Sequence, residues 1–149
     1  MAGLYIHIPF CRRQCNYCDF HFTVSLKNKD RMVVAIVREI ISRSHEAEGL
    51  SFNTIYFGGG TPSILGIGDV EKIFSSLYRS FKISKEAEIT IEANPDDISE
   101  DFLEMLRKYT PVNRLSIGIQ SFNDHDLVIL NRIHNSAKGL RSVEMAKRN

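Results

Sequence analysis

Short apolar runs alternate with amphipathic stretches along the whole chain. Leu4–Pro9 has the length and alternation of a strand. From about Asp30, Val33, Ile36, Val37, Ile40 and Ile41 recur at helical spacing, and Asp30 is suited to cap that helix. Thr54–Phe57 predicts a second strand, closed by Gly58-Gly59-Gly60. A helix from about Asp69 to Arg79 puts Val70, Ile73, Phe74 and Leu77 on one side. Glu88–Glu92 predicts a third strand. Ser99, Glu100 and Asp101 then mark a helix start, because carboxylates suit the positive end of the dipole. That helix turns Phe102, Leu103 and Leu106 inward. Leu115–Gln120 predicts a fourth strand, followed by helical stretches at about Asn123–Asn131 and Ser136–Lys147.

Strand and helix thus alternate four times, with helix-length crossovers. Such crossovers demand parallel strands covered by helices, an α/β class. Four βα units make half of a closed eight-stranded barrel or most of an open one. No linker, low-complexity segment or fixed-period repeat interrupts them. The chain stops at Asn149 straight after a helix, where a fifth strand is due, and a bare fourth strand would expose a row of unpaired backbone groups. The expectation is a piece of a longer design or a natural truncation. On its own the chain is expected to associate through the open edge and to turn over no substrate.

Composition narrows the function. Hydrophobic residues at 43% and charged residues at 25% are those of a globular protein. The formal charge of +1, from 19 basic and 18 acidic side chains, gives no field to gather nucleic acid or anionic lipid. No apolar run approaches the roughly 20 residues of a membrane helix. The start, MAGLYIHIPF, lacks an export signal, so a cytoplasmic location is expected. In a reducing compartment, three cysteines within residues 11–18 speak for metal or redox chemistry rather than disulfides.

Cys11, Cys15 and Cys18 have the spacing C-x3-C-x2-C. A loop this short can set three thiolates on one face of a 4Fe–4S cubane, leaving the fourth iron open to an exogenous ligand. Arg12 and Arg13 are available to offset the negative charge. Two other readings stay open on these residues: unligated thiols, and a tetrahedral zinc held by the same cysteines with His21. His7, His45, His125 and His134 have no paired spacing for a metal.

The cysteine loop belongs to an ordered set. Leu4-Tyr5-Ile6-His7-Ile8-Pro9-Phe10 leads into Cys11. Further on come Gly58-Gly59-Gly60-Thr61-Pro62-Ser63, Ile91-Glu92-Ala93-Asn94-Pro95 and Ser116-Ile117-Gly118-Ile119-Gln120-Ser121-Phe122. From about Leu4 to the last residue, this set resembles the radical S-adenosylmethionine (SAM) branch that contains the oxygen-independent coproporphyrinogen III oxidases and the heme chaperones of the HemW type. The resemblance implies a partial (βα) barrel of the radical SAM type, with residues 1–149 as the N-terminal part of the core domain and the rest of the barrel absent. It implies that Cys11, Cys15 and Cys18 hold the cluster. It implies SAM contacts for Tyr5, Tyr17, Gly59, Gly60, Thr61, Glu92, Gln120 and Arg132. The glycines would meet the amino group of SAM, and Arg132 would face its carboxylate. Thr61-Pro62 also fits an N-cap and first helical position, and Glu92, at a strand end, needs a partner if buried.

Within that branch the residues lean one way. The oxidases carry a fourth cysteine two residues after the third, where this chain has Phe20. They also have an N-terminal extension, and here ten residues precede Cys11. Asp19-Phe20 and Leu130-Asn131-Arg132-Ile133-His134 are similar to the HemW type instead. That implies a heme-binding protein that passes heme to an acceptor protein. The alternative is decarboxylation of two propionates of coproporphyrinogen III, for which reductive cleavage of SAM would supply a 5′-deoxyadenosyl radical and an electron donor such as flavodoxin or ferredoxin would be needed.

Overall fold

A computed structural model describes residues 2–149. Each apolar run forms a strand: β1 (Ala2–Ile8), β2 (Ser51–Gly59), β3 (Lys82–Ala93) and β4 (Arg114–Ile117). All neighbours are parallel, in the order β1-β2-β3-β4. Between and after them run α1 (Lys29–Ser42), α2 (Ile67–Ser80), α3 (Glu100–Tyr109), α4 (Asp124–Ile129) and α5 (Ser136–Arg148).

Period two and period 3.6 meet in the core. Ile6, Ile8, Ile55, Phe57, Ile89 and Ile91 point to one face of the sheet and are buried there against Val33 and Ile40 of α1 and Val70, Ile73, Phe74 and Leu77 of α2. The Phe57 and Phe74 rings lie 5.1 Å apart. Each fully buried side chain of this size contributes roughly 1.5–3 kcal/mol relative to exposure. A second apolar group, Ala93, Ile98 and Leu103, joins the end of β3 to α3.

The register aligns Tyr5 with Tyr56 and Tyr56 with Thr90, then Thr90 with Arg114. In the same way His7 meets Gly58, and Glu92 meets Ser116. These side chains share the opposite face of the sheet, which is polar and aromatic where the helix-covered face is aliphatic. Of these, His7, Gly58, Glu92 and Ser116 lie near the C-terminal ends of their strands, where open α/β sheets bind ligands.

Several expected boundaries shift. Asp30 does not cap α1: the cap position is Asn28, without a side-chain bond, while Asp30 lies in the first turn and pairs with Lys29. Ile41 is exposed, because a helix face this narrow is filled by Val33, Val37 and Ile40. β4 ends at Ile117, three residues before Gln120. Ser99 behaves as expected and accepts a hydrogen bond from Phe102 N–H at 3.1 Å. Among the described residues, no helix is long and apolar enough to cross a membrane.

Candidate functional site

The cysteine loop leaves β1 and is tied back on itself. Cys11 N–H donates to Thr23 O at 3.0 Å, and Thr23 N–H to Pro9 O at 2.9 Å. Three further anchors fix what lies between. Arg12 Nε donates to Asp97 Oδ1 at 2.6 Å, and Ser63 Oγ donates to Asp97 Oδ2 at 2.8 Å. Asn16 bonds the end of α4 through Leu130 O and Ile129 O. Asn131, with φ at 56°, donates to Gln14 O at 2.7 Å. The loop is thus held by residues from the segments after β2, β3 and α4.

These anchors bring all three cysteines to the wall of one cleft of about 250 Å³. None of the three is in a disulfide. Two of the sulfurs receive donors: Thr61 Oγ1 on Cys11 Sγ at 3.5 Å, and Arg132 Nη1 on Cys15 Sγ at 3.3 Å. Burial is the main cause that pushes the Cys11 thiol up, with Cys18 and Cys15 adding to it against the pull of Thr61 and Arg132. Burial likewise raises Tyr17, whose hydroxyl accepts from Arg132 Nη1 at 3.3 Å.

Gly59 and Gly60 turn the chain under the loop. Gly60 N–H donates to Ile8 O at 2.8 Å, and a Cβ on Gly60 would stand 2.5 Å from Phe10 O. Gly59 sits at φ +114°, where L side chains are strained. Thr61 occupies the N-cap position of a single 3₁₀ turn, Pro62–Ile64, but does not cap it. Its hydroxyl is spent on the site instead, facing Cys11 and accepting from Asn94 Nδ2 at 3.0 Å.

Glu92 has the partners its burial requires. Tyr56 Oη donates to Oε1 at 2.6 Å and Gly59 N–H to Oε2 at 3.2 Å. The Glu92 bond is the main cause that raises the Tyr56 hydroxyl. Gln120 also lines the cleft, though not from a strand end. It sits in a turn beyond β4 with φ at 70°, a left-handed conformation costing roughly 1–2 kcal/mol. Arg132 is no surface charge. Its Nη2 donates to Asn94 Oδ1 and Gly118 O, both at 2.6 Å, and its Nε is buried without a hydrogen-bond partner.

Tyr5 stands apart from the cleft wall. It is 58% exposed on the polar sheet face, stacked on Tyr56 at 6.1 Å, with its hydroxyl 3.1 Å from His7 Nδ1. His134 is a packing histidine: it is buried and bonds Ile119 O at 3.0 Å. Sequence reasoning missed Tyr56, Ser63, Asn94, Asp97 and Asn131 as contributors. Tyr56 was within reach, because alternation with Ile55 and Phe57 puts it on the same face as Glu92. Ser63, Asn94 and Asn131 stand inside the sequence motifs, but their roles depend on partners far along the chain, and no local signal marks Asp97.

The sequence model of the radical SAM superfamily matches residues 5–149. The chain belongs to the radical SAM superfamily. It is 36% identical over 149 residues to the heme chaperone HemW of Bacillus subtilis (strain 168), covering 99% of this chain and 39% of that protein. It is 37% identical over 148 residues to the heme chaperone HemW of Escherichia coli (strain K12), covering 97% of this chain and 38% of that one. Among solved structures, the coproporphyrinogen III oxidase HemN from Escherichia coli, a radical SAM enzyme, superposes with a TM-score of 0.88 at 32% identity, over 98% of this chain and 34% of that one. The chain therefore spans about two fifths of the length of the curated relatives it matches.

Radical SAM proteins typically bind a 4Fe–4S cluster and SAM, and the cleft of this one fits both. Three thiols share a wall, and two already face hydrogen-bond donors of the kind that thiolates accept. The Arg132 guanidinium and the Glu92 carboxylate line the same cleft, a cation and an anion of the kind that suit a zwitterionic ligand. Among the described residues, no three His, Cys, Asp or Glu side chains converge on a point where one metal ion could sit, and His21 is not among the residues lining the cleft.

Proposed function

We propose that this chain is the cluster- and SAM-binding part of a HemW-like radical SAM protein, a heme chaperone of heme and porphyrin metabolism. One observation carries the reading: the cleft that holds Cys11, Cys15 and Cys18 also holds Gly60, Thr61, Glu92, Gln120 and Arg132, so that all four βα units contribute to it. In this reading residues 1–149 are the N-terminal part of the core domain, and the remaining barrel is supplied by further sequence. Cys11, Cys15 and Cys18 hold a 4Fe–4S cluster. Gly59, Gly60 and Thr61 bring backbone to SAM, Glu92 and Gln120 take its polar groups, Arg132 takes its carboxylate, and Tyr17 flanks it, with Tyr5 farther out on the polar sheet face.

When bound, the cluster and SAM would supply one-electron cleavage of a sulfonium bond. The chain's own work is to hold thiolates, orient the ligand and keep donors aimed at charge. The partners follow from the same reading: heme, an acceptor protein for it, and an electron donor such as flavodoxin or ferredoxin. Three free thiols suit a reducing compartment, the cytoplasm.

A second reading, oxygen-independent coproporphyrinogen III oxidase, is favoured by the HemN superposition. Phe20, in place of a further cysteine, speaks for the chaperone. Anaerobic reconstitution of the intact protein tests the shared part. About four irons and four sulfides per chain are expected, with a reduced-state EPR signal altered by SAM. One zinc and no sulfide in natively isolated protein would overturn it. Heme titration then separates the readings: tight heme binding without decarboxylation supports the chaperone, and SAM-dependent loss of propionate carboxyls supports the oxidase.

A further inference from the structure

We propose that Asn94 is a positioning residue that aims hydrogen-bond donors at two of the three cluster cysteines and so sets the cluster's reduction potential. The inference rests on the cluster reading above and adds to it a residue that touches no cysteine.

Asn94 follows the last residue of β3, and its backbone is fixed on both sides. Gly118 N–H donates to Ala93 O at 2.9 Å, and Asp97 N–H donates to Asn94 O at 3.0 Å. A primary amide offers an acceptor and a donor about 2 Å apart, and both are used here. Oδ1 accepts from Arg132 Nη2 at 2.6 Å, while Nδ2 donates to Thr61 Oγ1 at 3.0 Å. The reverse orientation would set the amide N–H groups against the guanidinium, so the network itself selects this one.

Each arm ends on sulfur. On one side, the amide occupies a lone pair of the Thr61 hydroxyl, which leaves the hydroxyl proton free to point to Cys11 Sγ at 3.5 Å. On the other, Asn94 and Gly118 O hold the Nη2 end of Arg132, which directs Nη1 at Cys15 Sγ at 3.3 Å. Among the described residues, Cys18 Sγ receives no such donor, so the donor field is lopsided toward Cys11 and Cys15. Donors to cluster sulfurs stabilise the more negative, reduced state, and such outer contacts tune potential and ligand orientation.

The test uses the intact protein, anaerobically reconstituted, with iron and sulfide counted before any titration. No cluster in the wild type would sink the cluster reading itself, independently of Asn94. Given a loaded wild type, EPR-monitored potentiometry compares Asn94→Ala, Thr61→Val, Thr61→Ser and the Asn94→Ala/Thr61→Val double variant. At the wild-type midpoint, Asn94→Ala is expected to lower the reduced-to-oxidised ratio by on the order of tenfold, the consequence of two misdirected hydrogen bonds. Thr61→Val should shift it in the same direction by less, and Thr61→Ser should restore it. The double variant should match Asn94→Ala alone, since Asn94 reaches Cys11 only through Thr61. A fully loaded Asn94→Ala with the wild-type potential, or additive shifts in the double variant, would overturn the proposal. If Asn94→Ala does not load, Asn94→Ser takes its place. A wild-type potential there refutes the inference equally.

Discussion

Removing the Asp97 carboxylate tests how the cysteine loop is kept in place. Its side chain is 2% exposed, yet it meets Arg12 Nε at 2.6 Å and Ser63 Oγ at 2.8 Å. Asp97→Ala strands the Ser63 hydroxyl, a buried group, which costs about 1 kcal/mol. Arg12 is 52% exposed and can rehydrate, so losing its ion pair costs about 1–2 kcal/mol rather than the full value of a buried charge pair. Together the loop should become easier to open by about 2–3 kcal/mol, or about 30- to 150-fold. Amide hydrogen exchange on the intact apo-protein reads this directly at Cys11, Cys18 and Thr23, whose N–H groups bond within the loop and its base. Asp97→Asn, which keeps one carbonyl acceptor, should show a loss of only severalfold. Unchanged exchange at these amides in Asp97→Ala would refute the reasoning, as would a loss spread evenly over β2 and α2.

Three further outcomes follow from other contacts. Tyr56→Phe removes the 2.6 Å donor to Glu92, and SAM affinity of the loaded protein, measured by calorimetry, should weaken by about tenfold; unchanged affinity would mean that Gly59 N–H alone holds the carboxylate. Gly60→Ala puts a Cβ 2.5 Å from Phe10 O and should lower stability in urea by about 2 kcal/mol or more, whereas Gly68→Ala, exposed in the first turn of α2 with nothing within 4 Å, should raise it by about 0.5–1 kcal/mol. His134 is held below its ordinary pKa, chiefly by burial and also by Arg132, against the pull of Ile119 O and Asp96. It is neutral when folded and binds a proton more readily when unfolded, so its stabilisation is full above about pH 6.5 and is lost as pH falls below that value. Unfolding free energy should therefore drop more steeply between about pH 7 and 5.5 in the wild type than in His134→Gln, and parallel curves would assign the slope to other groups.

How far the fold could be read in advance depended on the range of the interaction involved. Strand and helix positions follow from apolar period, and the cores of β2, α2 and α3 lie where Ile55, Leu77 and Leu106 pointed. Boundaries depend on contacts between distant segments. β3 begins at Lys82 rather than Glu88 because Lys82 and Ile83 pair with Ser51 and Phe52. β4 stops at Ile117 because the chain turns away there, leaving Gly118 O to accept from Arg132 rather than from another strand. The same distinction divides the site. Cysteine spacing and a carboxylate at a strand rim are local signals, so Cys11, Cys15, Cys18 and Glu92 were legible. The partners of Asn94, Asp97 and Ser63 become legible only when the fold sets Asn94 opposite Arg132 and Thr61, and Asp97 opposite Arg12 and Ser63. Thr61 was legible as a cap by position alone, and only its partners reveal that its hydroxyl serves Cys11 instead.

The donors at this cleft come from every crossover, and that ties the site's geometry to the docking of all four units. Cys11 and Cys15 follow β1, Thr61 follows β2, Asn94 and Asp97 follow β3, and Arg132 follows α4. No two consecutive residues complete the set, so a chain with any one unit undocked has three cysteines but not the site. Loss of the α4 segment would remove Arg132 from Cys15 and also free Gln14 and Asn16 of the cysteine loop. Loss of the segment after β3 would release Arg12, Ser63 and Thr61 together. The loop is therefore ordered by the same contacts that direct donors at its sulfurs, and ordering it first lowers the entropy cost of closing it around a cluster. Cluster assembly should accordingly follow the docking of the sheet ends rather than precede it.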